Sequence, residues 1–281
     1  MPTARLRRNK RAIGDIALRP LSAAALCSFP VMSDVRREAV AGSFYPREPN
    51  ELRAIVTELL ERAAPSRPAK AIVAPHAGYI YSGAIAASAF RCVPQHVRRI
   101  VLLGPSHFVL LRGVAAPRAS RFATPLGEVA IEVPEGIARN DAPHEREHSL
   151  EVEVPFLQVV LHELTLVPLA VGDASPAEVA DVLARVWGGA DTAVVVSSDL
   201  SHYLRYDDAR RTDEETARRI ERLVPVPDDA ACGAAPLNGL LFEAARRGMN
   251  CERLDLRNSG DTAGDRRRVV GYGAFALRET G

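Results

Sequence analysis

The sequence predicts an α/β protein: a single domain built on a central mixed β-sheet flanked by helices. Two observations carry this. Short apolar runs of strand length at 71–74, 99–103 and 192–196 alternate with segments whose apolar residues recur at helical spacing. Each run is then broken by proline, glycine or serine and followed within a few residues by a histidine: His76, His107 and His202. Near-continuous apolar strands belong to sheets covered on both faces, and such sheets bind ligands beyond the carboxyl ends of their strands.

A chain of 281 residues with 47% hydrophobic content can bury a large core in one domain. The formal charge of +1 hides an asymmetry. Residues 1–31 hold six basic side chains against Asp15, leaving 30 basic and 34 acidic groups elsewhere, a net of −4. A mildly acidic body argues against nucleic-acid binding. No apolar run approaches the ~18 residues of a membrane span. Cys27, Cys92, Cys232 and Cys251 form no Cys-x-x-Cys pair and are too few to brace the chain. A reducing, cytoplasmic setting is therefore expected.

In chain order, the basic run 5–11 followed by the apolar stretch 21–27 imitates a signal peptide. Asp15 and Arg19 interrupt it, the apolar part is short, and Leu26 is a poor cleavage residue. Residues 1–31 are expected to be a disordered or loosely attached extension, with Met32 as the natural start and the domain spanning 32–281. Asn50 is expected to cap a helix carrying Leu52, Ile55, Val56, Leu59 and Leu60, with Pro65 beyond its end. The strand 71–74 stops at Pro75, which has no amide to donate, and Gly78 and Gly83 would let backbone approach a ligand. Residues 83–90 read as an alanine-rich helix, 99–103 as a strand broken by Gly104-Pro105, and 113–133 as a hairpin.

The charged stretch 141–148 reads as a loop. A helix then begins at His148 or Ser149, places His148 near the other strand ends and buries Leu150, Val154, Leu157 and Leu161, with a kink at Pro155. Glu151 and Glu153 are expected on its solvated or capping face, although Glu151 has the option of bonding a site histidine. Residues 164–171 read as a strand, 176–187 as a helix with Pro176 near its first position, and 208–223 as an amphipathic helix. A helix over 236–242 starts close to Cys232, and a helix N-terminus favours the thiolate that binds metal. Residues 258–265 form a polar turn and 269–277 a closing strand, whose glycines lack the Lys-Ser/Thr of a phosphate loop. His96 and His162 are expected in solvent, and Tyr79 and Tyr81 as pocket walls.

Ala-Pro-His-Ala-Gly-Tyr at 74–79, Leu-Gly-Pro-Ser-His at 103–107, Glu-His-Ser-Leu-Glu at 147–151, Ser-Ser-Asp-Leu-Ser-His at 197–202 and Ala-Cys-Gly at 231–233 occur in one order and spacing. Together they resemble the Memo family, called AmmeMemoRadiSam system protein B in prokaryotes, over about 37–277. The resemblance implies a fold related to the class III extradiol dioxygenases (LigB-like) and a functional link to a radical-SAM protein and a second small protein of the same system. It assigns metal-ligand roles to His76, His107 and Cys232. Two neutral imidazoles and a thiolate leave a coordination position open for water, dioxygen or substrate. Asp199 and His202 would act from outside the metal's own ligands, the carboxylate orienting a ring and the imidazole moving protons, with His148 and Tyr79 as further neighbours.

Cys232 departs from the related dioxygenases, whose third ligand is a carboxylate. A soft thiolate shifts preference toward copper(I) or zinc, so dioxygenase activity does not transfer with the fold. The expected cofactor is one transition-metal ion, iron or copper, with zinc as a third option. The expected activity is a metal-dependent oxidoreductase acting on a small-molecule or peptide ligand. Two other readings stay open. A non-catalytic adaptor would hold a peptide or handle metal, as the family's animal member is described as a signalling adaptor. A hydrolase would use Ser106, His202 and Asp199, but 104–108 lacks the second glycine of a nucleophile elbow and contains Pro105.

Overall fold

The computed structural model describes residues 34–280, so the expectations for residues 1–31, for Cys27 and for a start at Met32 lie outside it. The elements in chain order are β1 (Val35–Arg36), α1 (Pro49–Arg62), β2 (Ala71–Ala74), α2 (Tyr79–Phe90), β3 (Arg99–Pro105), β4 (Val114–Ala115), β5 (Arg121–Thr124) and β6 (Gly127–Ile131). There follow α3 (Ala142–Glu145), a 3-10 turn (Glu151–Glu153), α4 (Val154–Val160), β7 (Thr165–Val171), α5 (Pro176–Val186), β8 (Thr192–Ser197) and β9 (His202–Leu204). The last are α6 (Tyr206–Glu221), α7 (Ala234–Arg246), β10 (Asn250–Asn258), a second 3-10 turn (Ser259–Asp261) and β11 (Val269–Arg278).

The sheet runs β1-β5-β6-β7-β3-β8-β2-β11-β10, with β4 added to β7 and β9 to β11. Its centre, β6-β7-β3-β8-β2, is parallel, while β11 is antiparallel to both β2 and β10. The sheet is therefore mixed. Side chains alternate across it with the period of two that a strand imposes. Ile72, Ile100, Leu102 and Val195 enter the core shared with Leu52, Phe90 and Phe156, whereas Val73, Val101, Leu103, Val194 and Val196 enter the core shared with Leu183, Leu237 and Leu240. Helices on both faces explain why these strands read as unbroken apolar runs.

Several expectations need correction. Asn50 does not cap α1; the Glu48 side chain accepts the Glu51 amide, and Pro49, whose fixed φ suits the first turn, starts the helix. β3 is not ended by Gly104 but continues through Pro105, paired with β7 as far as Val171. The helix expected from His148 is instead a 3-10 turn followed by α4, and Pro155 sits in the first turn of α4, where it kinks nothing. Gly83 serves helix packing and no ligand, since a Cβ there would meet Leu59 Cδ1 at 2.9 Å. Among the described residues no helix is long and apolar enough to cross a membrane.

Parallel pairing puts the carboxyl ends of β2, β3 and β8 side by side: Ala74 lies opposite Ser197, and Leu103 opposite Val196. The loops that follow deliver His76, His107 and Asp199 to one place. Gly104 lets a further segment join them, because a Cβ there would lie 2.7 Å from Ser149 Oγ and 3.0 Å from Leu150 Cδ2. The stretch from Glu147 to Glu153 thus runs directly over the end of β3.

Candidate metal centre

His76 leaves β2 through Pro75 and is buried, with 2% of its surface exposed. Its Nδ1 lies 2.7 Å from Ser197 Oγ at the end of β8, and its Nε2 lies 3.3 Å from Cys232 Sγ. His107 follows β3; its Nδ1 contacts Glu147 Oε1 at 2.8 Å, which leaves Nε2 for another partner. Cys232 sits two residues before α7, and its sulfur also accepts the Asp199 amide at 3.3 Å. One ligand atom from each of His76, His107 and Cys232 falls within 4.8 Å of the others. Nitrogen and sulfur on a tetrahedral ion with bonds of ~2.1 and ~2.3 Å stand ~3.6 Å apart, so this donor set fits a metal with little movement.

Glu147 is the anchor of the His107 side. Besides that ring it accepts the His107 amide at 2.6 Å and the Ser149 amide at 2.9 Å, and it lies 3.4 Å from His148 Nδ1. Burial alone would raise its pKa, but the bond and charge of His107 and the two amides outweigh this and hold it at about 2. His148 stacks on His107 with ring centroids 4.8 Å apart and meets His76 edge-on at 5.3 Å. His107, Glu147 and His148 form a second group with metal-ligand spacing, sharing His107 with the first. Burial depresses His76 well below the usual imidazole value and, chiefly, His148 to about 4, so both rings are neutral at pH 7.

A sequence profile described as Memo-like protein matches residues 36–276. The chain belongs to this family. It is 33% identical over 275 residues to a MEMO1 family protein of Methanothermobacter thermautotrophicus, an alignment covering 85% of this chain and 98% of that protein. A MEMO1 family protein of Aquifex aeolicus is 35% identical over 265 residues, covering 85% and 97%, and one of Archaeoglobus fulgidus 33% over 279 residues, covering 87% and 100%.

In this Memo-like chain the remaining candidates are placed unevenly. Asp199 is buried and orients no ring; its Oδ1 accepts the His76 amide at 2.9 Å, which fixes the loop that carries His76. Burial, only partly opposed by the amides of His76 and Ala77 and by His107, raises it to about 7. His202 is exposed, with Nδ1 2.8 Å from the carbonyl of Leu200. It lines, with Phe44, Ala77, Tyr81, His148, Asp199 and Tyr272, a cavity of about 670 Å³. Tyr79 begins α2 and turns its ring onto Phe156 in the core, with its hydroxyl donating to the Val152 carbonyl at 2.7 Å. Ser106 donates to the Val109 carbonyl at 2.7 Å, and no hydrolase triad joins it to His202 and Asp199 among the described residues. A larger groove of about 1070 Å³ lies between α6 and β10, lined by paired charges such as Arg253 and Glu214, and holds none of these candidates.

Sequence reasoning misread two acids and missed a serine. Glu151 is fully buried, not solvated, and binds Arg36, the Tyr45 hydroxyl and the amides of Ala39 and Val40. Glu153 is also fully buried and lies 2.7 Å from Ser197 Oγ. The available signal was two carboxylates embedded in the apolar run 150–157, which only partners in the interior could make tolerable. Cys232 also needs correction: burial, reinforced by the nearby Asp199 carboxylate, pushes its thiol up despite the start of α7, so the metal-free sulfur keeps its proton.

Proposed function

We propose that His76, His107 and Cys232 hold one transition-metal ion, that the fold is related to that of the extradiol dioxygenases, and that the chain acts as a metal-dependent oxidoreductase on a small molecule. The observation that carries this reading is the convergence of two imidazoles and a sulfur within 4.8 Å, beside a cavity that Ala77, His148 and Asp199 line. When bound, the ion supplies Lewis acidity and an open coordination position, with redox chemistry in the case of iron or copper; zinc suits the same donors without it. The chain's own groups supply the rest. Glu147 and Ser197 hold the two rings, and Asp199 holds the loop of His76. Phe44, Tyr81 and Tyr272 give the cavity apolar walls, within the ~300–1,000 Å³ usual for small-molecule sites. His202 lines the cavity and, although the residue is exposed, partial desolvation of its ring lowers its pKa, so at neutral pH it is a base able to take a proton from a ligand.

The test is an assay of protein loaded with iron, copper or zinc against small aromatic and peptide-like compounds, with metal content measured in parallel. Metal-dependent turnover is expected, falling by about 10²–10⁴ in His202→Ala while metal affinity stays within about tenfold. Peptide binding without turnover for any of the three metals would assign the pocket to ligand holding instead. Loss of metal from His202→Ala would make His202 a ligand and reopen the assignment of Cys232.

A further inference from the structure

Ser197 sits at a junction whose contacts decide which nitrogen of His76 carries the proton. Its Oγ lies 2.6 Å from the Ser149 carbonyl, 2.7 Å from Glu153 Oε1 and 2.7 Å from His76 Nδ1. A hydroxyl has one proton to give and two lone pairs to offer. The Ser149 carbonyl can only accept, so it takes the serine proton. His76 must then donate to Oγ through an Nδ1–H, and a protonated Glu153 carboxyl gives the third contact a proton of its own.

We propose that Ser197, clamped between the Ser149 carbonyl and the Glu153 carboxyl, is the positioning residue that fixes His76 as its Nδ1-protonated tautomer and turns a bare Nε2 toward Cys232 and the metal. The tautomer of a ligand histidine is set by what its other nitrogen bonds, and here that partner is a neutral relay, not a carboxylate. Independent observations agree with a neutral Glu153. It is fully buried, and among the described residues its Oε2 has no hydrogen-bond partner and no cation pairs with it; burial, with the nearby Asp199, opposes its ionisation and outweighs the Ser197 hydroxyl. The contrast with His107, which leans on the ionised Glu147, has an electrostatic reason. His76 lies beside the Asp199 carboxyl and the Cys232 sulfur, which would become a thiolate on binding metal, so an ionised group behind the ring would add repulsion in a buried place. One short stretch therefore positions both rings, with Glu147 acting directly on His107 and Ser149 and Glu153 acting through Ser197 on His76.

The inference builds on the reading of His76 as a metal ligand, but its first test does not need metal. Long-range ¹H–¹⁵N spectra of the metal-free, histidine-labelled chain, assigned with His76→Ala, are expected to find His76 neutral with its proton on Nδ1. Ser197→Ala should yield a mixture of tautomers and weaken binding of the metal ion by about 10–100-fold, whereas Glu153→Gln, whose amide still donates to Oγ, should keep the parent tautomer and stay within about tenfold in affinity. A purely structural role would lower the melting temperature of Ser197→Ala and leave the tautomer unchanged, which overturns the proposal. So does a proton on Nε2 in the parent, whatever the variants do. Failure of the parent to take up any metal would instead defeat the metal reading, and the spectra would still decide the tautomer.

Discussion

At Cys232 two local effects oppose each other, and burial wins. The start of α7 favours a thiolate, but the enclosed sulfur beside Asp199 keeps its proton; it lies 3.3 Å from His76 Nε2. Metal binding must expel that proton. Uptake of metal with release of one proton strengthens with rising pH, because the competing protonated thiol becomes easier to ionise; the sign follows from the raised pKa of Cys232. Competition titrations between about pH 6.5 and 8.5 should find affinity rising about tenfold per unit, and a flat profile would mean that the sulfur is not a ligand. The grouping of His76, His107 and Cys232 was legible because the histidines follow apolar strands and the cysteine lies just before a helix. Ser197 and Glu153 were not, since a serine at a strand end and an acid in an apolar run acquire meaning only when parallel pairing of β8 with β2 brings them to His76.

The decisive element is the stretch from Glu147 to Glu153, expected as the start of an amphipathic helix and found as a tight turn packed on β3. Its charge pattern suggested solvent, whereas Glu147, Glu151 and Glu153 are all buried. Periodicity cannot separate a helix face from a polar layer that three different partners satisfy. The strands 71–74 and 192–196 and the helix 176–186 were readable because one apolar period governs each of them. β10 was not, because Asn250–Asn258 is a polar edge strand whose register comes from pairing with β11. Gly104→Ala tests the element directly. Its Cβ would press on Ser149 Oγ and Leu150 Cδ2, so a destabilisation of about 1–3 kcal/mol in urea unfolding is expected, with weaker metal binding as Glu147 and Ser149 shift. Unchanged stability and affinity would show that the turn adapts freely.

Over the whole molecule, the first strand and the site are one unit. Arg36 of β1 pairs with Glu151, donates to the His144 carbonyl at 2.9 Å and reaches the Glu147 carbonyl, while Tyr45 and the amides of Ala39 and Val40 complete the shell of Glu151. The sequence placed the central sheet but gave no hint of this link, which spans more than a hundred residues. Arg36→Ala would leave a buried carboxylate without its counter-charge, so a loss of about 3–5 kcal/mol is expected in equilibrium unfolding, together with reduced metal affinity. A loss of stability within experimental error would mean that Glu151 is held by its neutral donors alone.

The central claim is that His76, His107 and Cys232 converge to hold one metal ion. Elemental analysis of protein purified without chelators or a metal-binding tag, with iron, copper and zinc counted per chain, tests it most directly. About one ion per chain is predicted for the parent and for His96→Ala and His162→Ala, with sharp loss in His76→Ala, His107→Ala and Cys232→Ser, because two remaining ligands hold a divalent ion weakly. Full occupancy in all three of those variants would contradict the account.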